Sequence, residues 1–265
     1  MPSKPKSEKK RLDLLVVERG LAESREKAQA MILAGEVRVN GARSEKAGMQ
    51  VPADTQIEIS GASAKYASRG GFKLEGALED FGVDANGKTC LDIGSSTGGF
   101  TDCLLQHGAR RVYAVDVTPE QMAWRLHQDA RVIQIKANAR NLRPEQILEP
   151  TDLVTMDVSF ISVAKVLPAV VAAAGPVAEF LILVKPQFEL ERGDIGRGGI
   201  VRDASLHERA IERVREAARA CGLFINDKPD DKADRVTAGA RPSRVTGAEG
   251  NQEFFLHAWK KPRKF

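Results

Sequence analysis

At 265 residues the chain accommodates either one large α/β unit or a small domain followed by one of ordinary size. Hydrophobic residues at 42% and charged residues at 29% argue against a disordered chain, and the three widely spaced cysteines, Cys90, Cys103 and Cys221, indicate neither a disulfide framework nor a metal site. The net charge of +4 is unevenly spread: residues 1–73 carry +5 and the remainder −1, which points either to a polyanion partner or to a solvated basic end.

Residues 1–10 are Lys-rich, lack hydrophobic period, and read as a disordered basic arm. Residues 11–60 read as two short helices and a small sheet. Ser24 is a candidate N-cap, Ala28, Met31 and Ile32 form the buried stripe, and Gly35 ends the helix. Val37 and Val39 alternate with Arg38 up to Asn40-Gly41, a type I′ hairpin signal. Arg38 and Arg43 should face outward, as should Arg25 and Lys27 on the helix, giving a basic face that serves either RNA or solubility.

Residues 61–71 form a linker rich in small residues. Residues 72–265 then alternate helix and strand: a helix at 72–81 and strands near 89–93, 112–117, 132–136, 153–158 and 180–185. The most apolar stretch, 166–184, is broken by Pro168, Pro176 and Glu179, and reads as helix, turn and buried strand rather than a membrane span. The strands are continuous apolar runs, so the class is α/β with a mostly parallel sheet and ligands at the strands' carboxyl ends. The last strand, 253–259, can enter antiparallel beside 224–226. No secretory signal is visible, and the cysteine usage fits a reducing cytoplasm.

The first strand of this sheet ends in LDIGSSTGGFTD, where Asp92 precedes a turn of small residues. Asp92, Gly94, Ser96, Thr97, Gly98, Gly99 and Phe100 are candidates for cofactor contact, because a ligand can lie against such a backbone and the N-terminus of the following helix. The dinucleotide spacing GxGxxG is absent. Asp116, ending the second strand in AVDVTP, can accept ribose hydroxyls of a bound adenosine. Asn138 in KANARNL lies either beside an adenine or in a turn of its own. The glycine-rich segment from Glu191, with Arg192, Arg197 and Arg202, is either a mobile loop closing over RNA or plain surface.

RLDLLVVERGLAESREKAQAMILAGEVRVNG resembles the S-four-type RNA-binding domain, which implies docking on structured RNA through Arg11, Arg25, Lys27 and Arg38, with Arg69 added beyond it. SRGGFKLEGAL, LDIGSSTGGFTD, MDVSFIS, LVKPQFE, GRGGIVRD and TGAEGNQEFFL resemble, in this order, the TlyA family of ribosomal RNA 2′-O-methyltransferases, some of which have been called haemolysins. The resemblance implies a Rossmann-like class I methyltransferase fold with an antiparallel last strand, preceded by a small α+β RNA-binding domain. It implies S-adenosylmethionine as cofactor, no metal, ribosomal RNA or ribosomal subunits as partner, and a cytidine ribose as acceptor.

The second half also resembles the FtsJ-type enzymes, which implies a catalytic tetrad of Lys73, Asp157, Lys185 and Glu253. A ribose hydroxyl is a poor nucleophile, so an ammonium that favours the developing alkoxide is useful. Lys185, following the apolar run FLILV, is the candidate for that role, and the two acids would hold the lysines. Read without the resemblance, Lys73 is a solvated helix charge and Glu253 an edge-strand charge. The segment NDKPDDKADRVTAGARPSRVTG looks longer than the usual turn before the last strand.

Overall fold

A computed structural model describes residues 9–19, 21–22, 24–33, 35–44, 46–59, 65–196, 198–225, 239–247 and 250–261. The chain divides into two compact units, Met1–Lys65 and Tyr66–Phe265.

The first unit runs β1 (Lys9–Arg11), α1 (Leu12–Glu18), α2 (Arg25–Leu33), β2 (Val37–Val39), β3 (Ala42–Arg43), β4 (Gln50–Pro52) and β5 (Ile57–Ile59). Residues 9 and 10, expected in the basic arm, instead belong to β1, whose backbone pairs antiparallel with β4; residues 1–8 lie outside the described residues. Strands β3, β2 and β5 form a second sheet. Helix α2 starts where the Ser24 hydroxyl accepts the Lys27 N–H at 3.2 Å, and stops at Gly35, whose φ of 71° lets its N–H turn back to the Ile32 carbonyl. Asn40 and Gly41, at φ 51° and 78°, make the expected type I′ turn. The core is Leu12, Leu15, Val16, Ala28, Ile32, Val37 and Val51, with Met31 half-buried at its edge.

The second unit begins earlier than a linker of 61–71 allows. Tyr66 is buried, with its ring edge-on to Phe72 at 5.2 Å, and α3 (Gly70–Phe81) opens two residues before position 72. There follow β6 (Thr89–Ile93), α4 (Gly99–Gln106), β7 (Arg111–Asp116), α5 (Trp124–His127), β8 (Val132–Lys136), β9 (Leu153–Met156), α6 (Leu167–Ala173), β10 (Glu179–Val184), α7 (Pro186–Glu189), α8 (Ala204–Ala220), β11 (Phe224–Ile225), β12 (Ala240–Pro242) and β13 (Phe254–Trp259). The stretch 166–184 is thus a helix, a turn and a strand.

The sheet order is β11-β13-β10-β9-β6-β7-β8, with β12 also paired to β13. Strands β8, β7, β6, β9 and β10 run parallel, whereas β13 is antiparallel to both β10 and β11. Alternate side chains of β10 feed two cores, as a strand covered on both faces requires. Phe180, Ile182 and Val184 pack in the cluster that contains Val170 of α6 and Val214 of α8, while Leu181 and Leu183 join Leu74 of α3 and Leu104 of α4. The chain leaves β6 toward β7 on one side and returns through β9 on the other, so the crevice of this sheet opens between the carboxyl ends of β6 and β9.

Candidate active site

The crevice is floored by the turn after β6. Gly94 adopts φ 81°, and a Cβ there would lie 2.4 Å from the Asp157 carbonyl oxygen, so only glycine lets the ends of β6 and β9 touch backbone to backbone. Ser96 holds a left-handed φ of 46° and gives its N–H to Asp116 Oδ2 at 2.9 Å. Asp116 Oδ1 takes the Thr118 N–H at 2.9 Å, so this carboxylate ties the ends of β6 and β7 together. Gly98, at φ 90°, packs toward Leu126 and Met122 and does not line the crevice; its conformation starts α4 at Gly99.

Asp92 also stands apart from the cavity walls, contrary to a direct cofactor contact. It is fully buried beneath the turn, where Oδ2 accepts the Thr101 hydroxyl at 2.6 Å and Oδ1 the Thr155 hydroxyl at 3.0 Å. Burial pushes its carboxyl up to about 7 against the opposing pull of those two hydroxyls. Asp92 therefore braces β6, α4 and β9 from below.

Two neighbouring cavities share Gly94, Ser96 and Asp157. The larger, about 490 Å³, is lined by Asp116, Val117, Asn138, Ile161 and Val166, a size and a polarity suited to a nucleoside. Asn138 Oδ1 accepts the Arg140 N–H at 3.0 Å, so it makes the turn bond and faces the cavity as well. The smaller, about 170 Å³, is lined by Ser68, Arg69, Lys73, Ser95, Thr97 and Phe100, and Gly99 brings the N-terminus of α4 to it. Ser95 is 4% exposed, yet its hydroxyl has no hydrogen-bond partner among the described residues. An orphaned buried hydroxyl in the turn ahead of α4 suits a polar ligand group.

The four charged residues arrive as two ion pairs. Lys73 Nζ lies 2.6 Å from Glu253 Oε2, both side chains being buried. Lys185, 9% exposed in its side chain, lies 2.5 Å from Asp157 Oδ1. That approach lacks the alignment of a hydrogen bond; the aligned bond of the ammonium goes to Ser159 Oγ at 2.7 Å. Lys73 and Asp157 face the same small cavity. Glu253 precedes β13 rather than lying on it, held by the Ser243 N–H to its carbonyl at 2.7 Å.

Several residues of this site escaped the sequence. Ser159, Phe160 and Glu189 sit inside the motifs MDVSFIS and LVKPQFE, but nothing in their periodicity separates them from their neighbours. Phe160 is 93% exposed at φ 64°, a strained conformation for an aromatic residue, and its ring packs 5.4 Å from that of Phe188. The glycine-rich segment is partly tied down: Asn251, buried, accepts the Val201 N–H at 2.9 Å and donates to the Gly199 carbonyl at 3.0 Å. Arg202 is exposed beside it, whereas Arg197 and the side chain of Arg192 lie outside the described residues, as do residues 226–238 of the long charged segment.

In the first unit the expected RNA-binding residues separate. Arg11 and Arg25 clasp the buried Asp13: Arg11 spans both its oxygens at 2.9 and 2.8 Å, and Arg25 Nε reaches Oδ2 at 3.0 Å. Gln29 adds a fourth side-chain donor group at 2.9 Å. The two arginines thus spend donors inward, a correction to the reading of Arg25 as simply outward-facing. Lys27 and Arg38 are exposed, and Arg69 is exposed at the rim of the small cavity of the second unit.

Residues 66–225 match the FtsJ-like methyltransferase family, and residues 10–57 match the S4 domain. The 16S/23S rRNA (cytidine-2′-O)-methyltransferase TlyA of Mycobacterium tuberculosis is 42% identical over 248 residues, covering 93% of this chain and 88% of that protein. The chain belongs to the TlyA family of FtsJ-like methyltransferases. Hemolysin A of Brachyspira hyodysenteriae is 41% identical over 249 residues, covering 93% and 98%. A solved structure from Streptococcus thermophilus, which also carries the hemolysin name, superposes with a TM-score of 0.69 at 39% identity, covering 95% of this chain and 88% of that one. An S-adenosylmethionine-dependent methyltransferase from Mesorhizobium loti shares the fold, with a TM-score of 0.50 at 15% identity over 71% of this chain and 97% of that one.

Proposed function

We propose that the chain transfers a methyl group from S-adenosylmethionine to the 2′-hydroxyl of a cytidine ribose in ribosomal RNA. What supports this most is the Lys185 ammonium, buried at the carboxyl end of β10 against Asp157 and Ser159, two residues that line the nucleoside-sized cavity. The residues present fit the cofactor. Asp116 and Asn138 would flank its adenosine in the larger cavity, and Ser95, Thr97 and the start of α4 would receive its amino-acid end in the smaller. When bound there, the cofactor supplies a methyl group already activated on a sulfonium.

The protein's own part is alignment and charge. Lys185 favours the alkoxide that develops on the ribose oxygen while the hydroxyl proton leaves to solvent, and Asp157, which lines the cavity, holds that ammonium. Glu253 keeps Lys73 inside the small cavity, so two cations are balanced by two carboxylates. Phe160 offers an open aromatic face for an unstacked base of the RNA. Lys27, Arg38 and Arg69 are the exposed cations suited to phosphate contact, with Arg11 and Arg25 adding what Asp13 leaves of their charge. A soluble ribosomal substrate places the protein in the cytoplasm. Among the described residues no helix is long and apolar enough to cross a membrane, so the hemolysin name of the relatives finds no spanning segment to rest on.

Incubation of purified protein with methyl-tritiated S-adenosylmethionine and ribosomal subunits or rRNA tests the reading. Label should appear in alkali-resistant dinucleotides, because a methylated 2′-oxygen cannot attack the adjacent phosphate. Label confined to bases, or no label on either substrate, would overturn it.

A further inference from the structure

We infer that Ser159 is a positioning residue for Lys185, and that the buried Glu189 locks the loop that presents it. The inference rests on the methyltransferase reading only for its consequence in rate; the arrangement itself stands on the contacts.

Lys185 has three N–H donors. Its polar neighbours among the described residues are two, the unaligned Asp157 Oδ1 at 2.5 Å and the aligned Ser159 Oγ at 2.7 Å, and the Phe188 ring lies 6.0 Å from the ammonium. Asp157 therefore supplies charge, whereas Ser159 supplies direction. Because the Ser159 oxygen accepts from the ammonium, its own hydrogen turns elsewhere, and this exposed residue lines the larger cavity.

A surface serine on a free loop would hold nothing. This loop is fixed at both ends. On one side the Asp157 N–H bonds to the Ile93 carbonyl at 2.9 Å, which anchors it to β6. On the other, Glu189 accepts the Ser162 hydroxyl at 2.6 Å and the Val163 N–H at 2.7 Å. Glu189 is buried, and burial raises its carboxyl above the usual range although both bonds favour the charged form. It lies on α7, four residues after Lys185, so a single short segment carries both the ammonium and the clamp on the loop that orients it. Phe160, at φ 64° between the two anchors, is the strained link that this clamping has to sustain.

The test uses the full chain in three forms: wild type, Ser159→Ala and Ser159→Thr. The ¹⁵N signal of the Lys185 ammonium, assigned by its loss in Lys185→Arg, should be sharp in wild type and Ser159→Thr, and broadened by solvent exchange in Ser159→Ala. With labelled RNA as readout, Ser159→Ala should lower kcat at least tenfold, displace the pH–rate profile and leave the KM for S-adenosylmethionine unchanged, while Ser159→Thr restores most of the rate. Glu189→Gln, which retains an acceptor of the same shape, should broaden the same signal more weakly. An ammonium signal unaltered by Ser159→Ala would overturn the inference whatever the rate does. If that signal broadens while wild type labels no RNA, the positioning stands and the methyltransferase reading falls.

Discussion

Asp13 in the first unit and Asp92 in the second are both fully buried carboxylates, and their surroundings drive them in opposite directions. Asp13 is gripped first by the Arg11 guanidinium, with Gln29 and Arg25 adding to it, which holds it well below the usual carboxylate range despite burial. Asp92 has no cation to grip it, only neutral donors from Thr101 and Thr155 among the described residues, with Asp157 nearby, and burial pushes it up to about 7. The difference shows how each unit spends charge. A small domain with a thin core is knitted by ion pairs, which consume cations that a reading by composition assigns to RNA. A cofactor turn is braced by a carboxyl that can stay neutral, which adds no second negative charge beneath Asp157.

Asp13→Ala should have the largest effect. It leaves Gln29 and the Leu14 N–H without their acceptor and frees two guanidiniums, and it should cost about 2 kcal/mol, below the roughly 3–5 kcal/mol of a fully buried pair because both arginines reach water. Hydrogen exchange in the full chain should report faster exchange in α1 and α2 and no change in α4. The pH dependence comes next. The contribution of Asp13, whose folded value is depressed, is present above about pH 4 and lost as pH falls below it. That of Asp92, whose folded value is raised, is fully present below about pH 4 and is lost as pH rises to about 7. Thermal unfolding of Asp92→Asn should therefore decline less than wild type between these pH values; a parallel decline contradicts the assignment.

One local change in each unit sharpens the contrast. A Cβ at Gly247 would sit 2.7 Å from Glu253 Oε1, so Gly247→Ala should displace the partner of Lys73 and lower kcat about tenfold, equivalent to about 1.4 kcal/mol, with little loss of stability. Ser24→Ala removes the cap of α2 and should cost about 0.5–1 kcal/mol of stability without touching kcat for a short RNA substrate.

Much of the fold was legible because its signals are local. Apolar runs marked the five parallel strands, and Asn40-Gly41 marked the hairpin. The positions of Lys73, Asp157, Lys185 and Glu253 came from resemblance, since residues up to 180 apart in sequence meet only through strand order. Sequence could not show that Asp92 and Gly98 stand behind the cavity, because facing inward or outward depends on packing against Thr101, Thr155 and Leu126. Nor could it show that Arg11 and Arg25 are partly engaged, because Asp13 lies within an apolar run whose burial only the folded unit reveals. Ser159 and Glu189 were invisible for a related reason: their importance is a matter of angle at one ammonium.

Methylation of a ribose oxygen in ribosomal RNA should depend on Lys185. Mapping 2′-O-methylation across rRNA from cells lacking this chain, complemented with wild type or with Lys185→Ala, tests it most directly. At least one ribose site should disappear in the deletion, return with wild type and stay absent with Lys185→Ala, even though the variant still binds S-adenosylmethionine. An unchanged methylation map, or a site restored by Lys185→Ala, would contradict it.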